Sequence, residues 1–120
     1  QTCALPISLY ADDPIPFNGK IYLLVNRVVY SSAEGFAYFC KTTGWATIAG
    51  QRTGGDGVGN DPIPFVLPES GIIVRTPSVT GLNIDGSLNS ETRTIPDIDI
   101  EAKNSKERLF KLIEYISRDK

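Results

Sequence analysis

The sequence predicts an α/β domain built on a parallel strand-helix-strand unit. Two patterns carry that expectation. The apolar run "KIYLLVNRVVY" leads directly into a stretch of helical periodicity, "SSAEGFAYFCKTTG", and a second short apolar run, "WATIAG", follows. Near the C-terminal end, "SKERLFKLIEYISRDK" adds an amphipathic helix. A chain of 120 residues with 41% hydrophobic content suits one globular domain, because a chain of this size buries roughly two-thirds of its unfolded surface. No internal repeat or low-complexity tract interrupts it.

In chain order, "ADDPIPFNGK" has two prolines, a glycine and an asparagine, and reads as a surface loop entering the first strong element. Lys20 to Tyr30 is rich in Ile, Leu, Val and Tyr, as expected of a strand buried on both faces of a parallel sheet. In the next segment Ala33, Phe36, Ala37 and Cys40 fall at i, i+3, i+4 and i+7, one stripe of a helix that stops near Gly44. With "WATIAG" as a second strand, Lys20 to Gly50 forms one right-handed crossover. "GQRTGGDGVGND" then places five glycines between Gly50 and Gly59, which frees the backbone for close approach to a ligand or another loop. Two extended runs, Ile63 to Leu67 and Ile72 to Thr76, are joined by "PESG" as a hairpin. "IPDIDIEA" is a further short extended segment. The final helix places Leu109, Leu112, Ile113 and Ile116 on one face, with Ser105 as its cap.

Charge and composition remove several function classes. A net charge of -2 offers no basic excess to neutralise phosphates, so nucleic acid is not an expected partner. No apolar stretch approaches the roughly 20 residues needed to cross a bilayer, and no basic-then-apolar leader opens the chain as given. Cys3 and Cys40 could form one bridge at most, and neither has a neighbour at metal-ligand spacing. The sequence contains no histidine, so any serine chemistry must use another base or import one.

The motif that carries chemistry is Ser31-Ser32-Ala33-Glu34. Ser31 three residues before Glu34, ahead of an apolar-periodic run, fits the capping box, in which serine and glutamate satisfy each other's backbone amides. A serine at a strand-to-helix turn is also where hydrolases place a nucleophile, because free amides and the helix dipole stabilise a developing oxyanion there. Pattern alone permits both. The glycine-rich loop is no phosphate cradle, since neither Gly-Lys-Ser/Thr nor Gly-x-Gly-x-x-Gly occurs at the required place. Asp12, Asp13, Asp56 and Asp61 lack the alternating register of a calcium loop and read as solvated turn aspartates. No metal or cofactor is expected.

Taken together, "GKIYLLVNRVVYSSAEGFAYFCKTTGWATIAGQRTGGDGVG" and "DGSLNSETRTIPDIDIEA" resemble the catalytic core of the C-terminal processing, or tail-specific, serine peptidases. That family has a strand ending in Val-Asn/Asp, a Ser-x-Ala/Ser-Glu turn, a helix, an apolar strand into Gly-Glu-x-Thr-x-Gly, and a closing Pro-Asp-Ile signature. The resemblance spans about Gly19 to Glu101 and implies a ClpP/crotonase-like α/β core acting on a peptide or protein substrate. It implies Ser31 as nucleophile, Ser32 as donor of an oxyanion amide, and Gly54, Gly55 and Gly57 as substrate-binding backbone. Classical members carry a lysine base and a glutamine in this loop, where "TGGDGVGN" has Asp56 and Asn60, so the Ser/Lys dyad is absent. The pattern then fits either the branch resembling the tricorn core protease, whose base is an upstream histidine and in which Glu91 would support the site, or a catalytically inactive relative that binds a peptide or apolar ligand. Thr92-Arg93 replaces the usual aromatic-Gly pair after that glutamate. Acyl-CoA chemistry on the same fold is disfavoured by the Ser-Ala-Glu turn and the Pro-Asp-Ile tail. For compartment, the resemblance leaves a bacterial extracytoplasmic location open.

"QTCALPIS" resembles translated sequencing-adapter DNA, since CAG ACG TGT GCT CTT CCG ATC encodes Gln1 to Ile7. On this expectation residues 1–8 are an artefact. Residues 9–120 are then the C-terminal part of a serine peptidase catalytic domain whose base and second oxyanion amide lie upstream.

Overall fold

The structure is a computed structural model that describes residues 12–118. The adapter-like segment 1–8, with Cys3, lies outside the described residues. Three parallel strands form the central sheet in the order β1-β2-β5. These are β1 (Tyr22–Val25), β2 (Thr47–Gly50) and β5 (Ile98–Asp99), with Leu23 opposite Ile48 and Ala49 opposite Ile98. Helix α1 (Ser32–Thr43) crosses between β1 and β2 and ends at Gly44, whose backbone is left-handed. The parallel strand-helix-strand expectation is met.

Alternation along the strands explains why the sheet is covered twice. Val25 and Ile48 pack with Ala37, Cys40 and Ala46 beneath α1. On the opposite face, Ala49, Ile100 and Leu112 form a second cluster under α3 (Ser105–Arg118), with Tyr22, Leu24 and Ile116 against it. Cys40 is fully buried, and burial pushes its thiol above the ordinary value, so it behaves as a small apolar side chain.

Four expectations need correction. The first strand does not run from Lys20 to Tyr30; it leaves the sheet at Asn26, whose side-chain oxygen accepts the Val28 N–H at 2.9 Å and makes a turn. Beyond the turn, Val29 O accepts the Gly54 N–H at 2.7 Å and Tyr30 makes an isolated parallel bridge to Gly55, outside the sheet. The buried face of α1 is Glu34, Ala37 and Cys40, not the stripe through Ala33 and Phe36. Phe36 stays half exposed and stacks on Phe39 and edge-on to Trp45. On α3 the buried residues are Arg108 and Leu112, whereas Leu109 and Ile113 are exposed. Finally, Ser105 is the first helical residue and Asn104 is the cap, its Oδ1 accepting the Glu107 N–H at 2.9 Å.

Outside this layered unit, β3 (Ile63–Val66) and β4 (Ile73–Thr76) pair as the expected antiparallel hairpin. Both strands are largely exposed. One short element escaped the sequence reading: α2 (Asn89–Thr92), a single turn.

The Pro-Asp-Ile signature has a structural job. Asp97 Oδ2 accepts the Ile48 N–H at 2.8 Å and its other oxygen pairs with Lys41 of α1, tying β2, β5 and the helix together. Burial pushes the Asp97 carboxyl up, but Lys41 and the Ile48 amide outweigh it and hold it below the usual range.

Candidate active site

Ser31 stands where the chain turns from the β1 side of the sheet into α1. Its backbone, at φ 56° and ψ -127°, lies in a region that L residues rarely occupy and that costs on the order of 1–3 kcal/mol. Two backbone hydrogen bonds hold it there. The Ser31 N–H donates to Gly55 O at 3.3 Å, and Ser31 O accepts the Gly35 N–H at 2.9 Å as the first bond of the helix.

That geometry overturns the capping box. The Ser31 side chain makes no capping hydrogen bond, and Glu34 turns inward instead of reaching back. The exposed Ser31 hydroxyl is therefore not consumed by the helix end. Among the described residues, the Ser32 N–H at the start of α1 has no hydrogen-bond partner either. A free hydroxyl beside a free amide at a helix N-terminus is an arrangement suited to attack on a carbonyl whose oxygen becomes negative.

Glu34 is wholly buried and joins a polar network that ties the glycine-rich loop to the helix. Its Oε1 accepts from Asn89 Nδ2 at 3.2 Å and from Thr94 Oγ1 at 2.8 Å. Asn89 Oδ1 in turn accepts the Gly57 N–H at 2.7 Å. Thr94 is locked to Thr53, whose Oγ1 accepts the Thr94 N–H at 2.8 Å and whose N–H donates to Thr94 O at 3.1 Å. The other oxygen, Glu34 Oε2, has no partner among the described residues.

A groove of about 300 Å³ opens at the turn, lined by Ser31, Ser32, Gly57, Asn60, Asp61 and Arg75, among others. It adjoins a larger cavity of about 480 Å³ whose apolar wall includes Val58, Val79 and Leu88. Tyr30 and Asp56 line both. The Tyr30 hydroxyl donates to Asp56 Oδ2 at 2.8 Å. That hydrogen bond, and then the Asp56 charge, push the Tyr30 phenol above its ordinary value, so it stays protonated near neutral pH and is no base for Ser31.

The other residues singled out by sequence are distributed unevenly. Asp56 and Asn60 both line the groove. Of the three glycines only Gly57 lines it. Gly57 faces Gly35 and Glu34 so closely that any side chain would collide with backbone. Gly54 packs on the Val29 and Arg27 carbonyls, and Gly55, with positive φ, packs on α2. Glu91 lies on α2, which abuts Gly55, but its side chain is exposed and lines neither cavity. Its carbonyl accepts from Arg52 at 3.1 Å. Sequence reasoning missed Tyr30, Arg75, Asn89 and Thr94 as parts of this region.

Among the described residues no group of three or more His, Cys, Asp or Glu gathers to hold a metal ion. No helix among them is long and apolar enough to cross a membrane.

The fold has relatives among known proteins. The fold is similar to mature CPAF, at 24% identity and TM-score 0.63 over 82% of this chain and 19% of that one. It is similar to the tricorn protease, at 23% identity and TM-score 0.64 over 84% of this chain and 10% of that one. A candidate peptidase from Parabacteroides merdae gives 23% identity and TM-score 0.67, covering 90% of this chain and 35% of its own. The chain thus spans well under half the length of each of these proteins. The family profile of peptidase family S41 matches residues 7–100, which takes in the Ser31 turn, the glycine-rich loop and the Pro-Asp-Ile strand, and the chain belongs to that family.

Proposed function

We propose that the chain is the C-terminal part, residues 9–120, of a serine peptidase catalytic domain in which Ser31 is the nucleophile. One observation carries the reading: Ser31 is held in a costly backbone conformation while its hydroxyl, released from capping, faces a groove beside the Ser32 N–H, which is unpaired among the described residues. A base takes the Oγ proton as Oγ bonds the scissile carbonyl carbon. The Ser32 amide stabilises the oxyanion, the proton passes to the departing amine, and water then hydrolyses the acyl-enzyme. The substrate is a peptide or protein lying along the groove that Gly57 lines, with Gly54 and Gly55 shaping the loop behind it.

The base comes from polypeptide outside these residues. The sequence has no histidine, Asp56 stands where the classical base would be, and Tyr30 remains protonated. A histidine of the tricorn-like kind, supported by Glu91, fits that requirement. A second reading, an inactive relative that holds a peptide or apolar ligand, draws on the Tyr30–Asp56 hydrogen bond and the apolar wall of the adjoining cavity.

The test is hydrolysis of an unfolded protein by the full-length protein, its Ser31→Ala variant and the isolated chain. The full-length protein should cleave, Ser31→Ala should not, and the isolated chain should be slower by at least about 10²-fold for want of a base. Cleavage by Ser31→Ala at the wild-type rate would contradict the assignment, and binding without cleavage would favour the second reading.

A further inference from the structure

Resting on the reading of Ser31 as nucleophile, we infer that buried Glu34 is a positioning residue that pins both ends of the loop Thr53 to Gly57 and so fixes the Ser31 turn. The topology of the polar network carries this. One carboxylate oxygen receives Asn89, which holds the Gly57 N–H, and Thr94, which is locked to Thr53. Between the pinned ends, Gly55 O accepts the Ser31 N–H and Asp56 accepts the Tyr30 hydroxyl. The loop thus touches the turn on both sides of the Tyr30–Ser31 peptide, and its own ends converge on the first turn of the helix that Ser31 begins.

The physical need is specific. Ser31 has an unfavourable φ, so its conformation persists only where surrounding bonds over-determine it. Glu34, Asn89, Thr53 and Thr94 are each no more than 2% exposed, which makes every hydrogen bond among them costly to lose. Asn89 is the discriminating member, because it must donate from Nδ2 to Glu34 and accept at Oδ1 from Gly57. Exchanging the two side-chain types, Glu34→Gln with Asn89→Asp, keeps net charge and volume. In that pair the introduced amide nitrogen, standing where Oε1 stood, would donate one N–H to the introduced carboxylate and the other to the Thr94 hydroxyl, which turns its lone pair to receive it, while the carboxylate would still accept the Gly57 N–H.

Two measurements on the full-length protein decide the matter. In the wild type, the Gly57 amide should exchange with solvent at least about tenfold more slowly than that of Gly59, as a partly buried amide bonded to a buried side chain requires. Equal exchange would overturn the inference whatever Ser31 does. Second, the rate of fluorophosphonate labelling at Ser31 should fall at least about tenfold in Asn89→Asp, which sets two carboxylates against each other, stay within about threefold in Glu34→Gln, whose Oε1 still accepts both donors, and return to within about threefold of wild type in the double variant. A double variant as slow as the product of the singles, or one that does not fold, would overturn it, since a purely structural burden gives no such rescue. Absence of labelling in the wild type would remove the nucleophile reading, and the exchange experiment would still judge the network.

Discussion

At the start of α3, Asn104 Oδ1 accepts the Glu107 N–H, and the Glu107 carboxylate accepts the Lys103 N–H at 3.0 Å. At the start of α1 the same spacing, Ser31 to Glu34, gives neither bond: Ser31 takes a positive φ and Glu34 turns into the core. One helix end satisfies itself locally. The other leaves a hydroxyl and an amide unspent and relies on contacts 55 and 60 residues away in sequence to hold its shape. Local propensity is obeyed where nothing else is asked of the backbone and overridden where a side chain must be presented, which is the pattern expected of a functional turn.

The comparison can be broken at either end. The largest stability effect is expected at Glu34→Ala, which strands the Asn89 and Thr94 donors in a buried site and should cost about 3 kcal/mol in denaturant unfolding of the full-length protein. A loss below about 1 kcal/mol would mean that the network bears little strain. Ser31→Gly should go the other way, stabilising by about 1 kcal/mol because glycine tolerates this φ and ψ, while Ser31→Ala, which keeps the strain, should not. Equal stability of the two variants would deny that the turn is strained. At the locally satisfied end, Asn104→Ala should destabilise by about 1 kcal/mol, whereas Ser105→Ala should change little. A reversal of that order would restore Ser105 as the cap.

The smallest effect concerns acid. Because the folded-state carboxyl of Asp97 lies below its ordinary value of 3.8, its contribution to stability is complete above that value and is lost as pH falls through the folded one. Wild-type stability should therefore drop more steeply than that of Asp97→Asn below about pH 4, with a difference of about 1 kcal/mol or less for so exposed an ion pair. Parallel acid curves would assign the loss elsewhere.

How far the sequence disclosed this follows from which contacts are local. The crossover, the hairpin and the last helix were legible because apolar periodicity and turn residues act within a few positions. The Asn104 cap was equally present, as Asn-x-x-Glu, beside the weaker candidate Ser105. Glu34 shares a helix face with Ala37 and Cys40, three and six residues on, so its burial left a trace in the pattern. Asn89, Thr94 and Thr53 left none, because nothing local marks a polar residue that becomes buried by meeting a partner dozens of positions away. The resemblance to C-terminal processing peptidases supplied what periodicity could not, and the family match supports it.

The most direct test of the account is to label the full-length protein with a fluorophosphonate and map the adduct by peptide mass spectrometry. The account predicts a single adduct on the peptide containing Ser31, located at Ser31 itself and lost in Ser31→Ala. An adduct on Ser32, or labelling that survives Ser31→Ala, would contradict it.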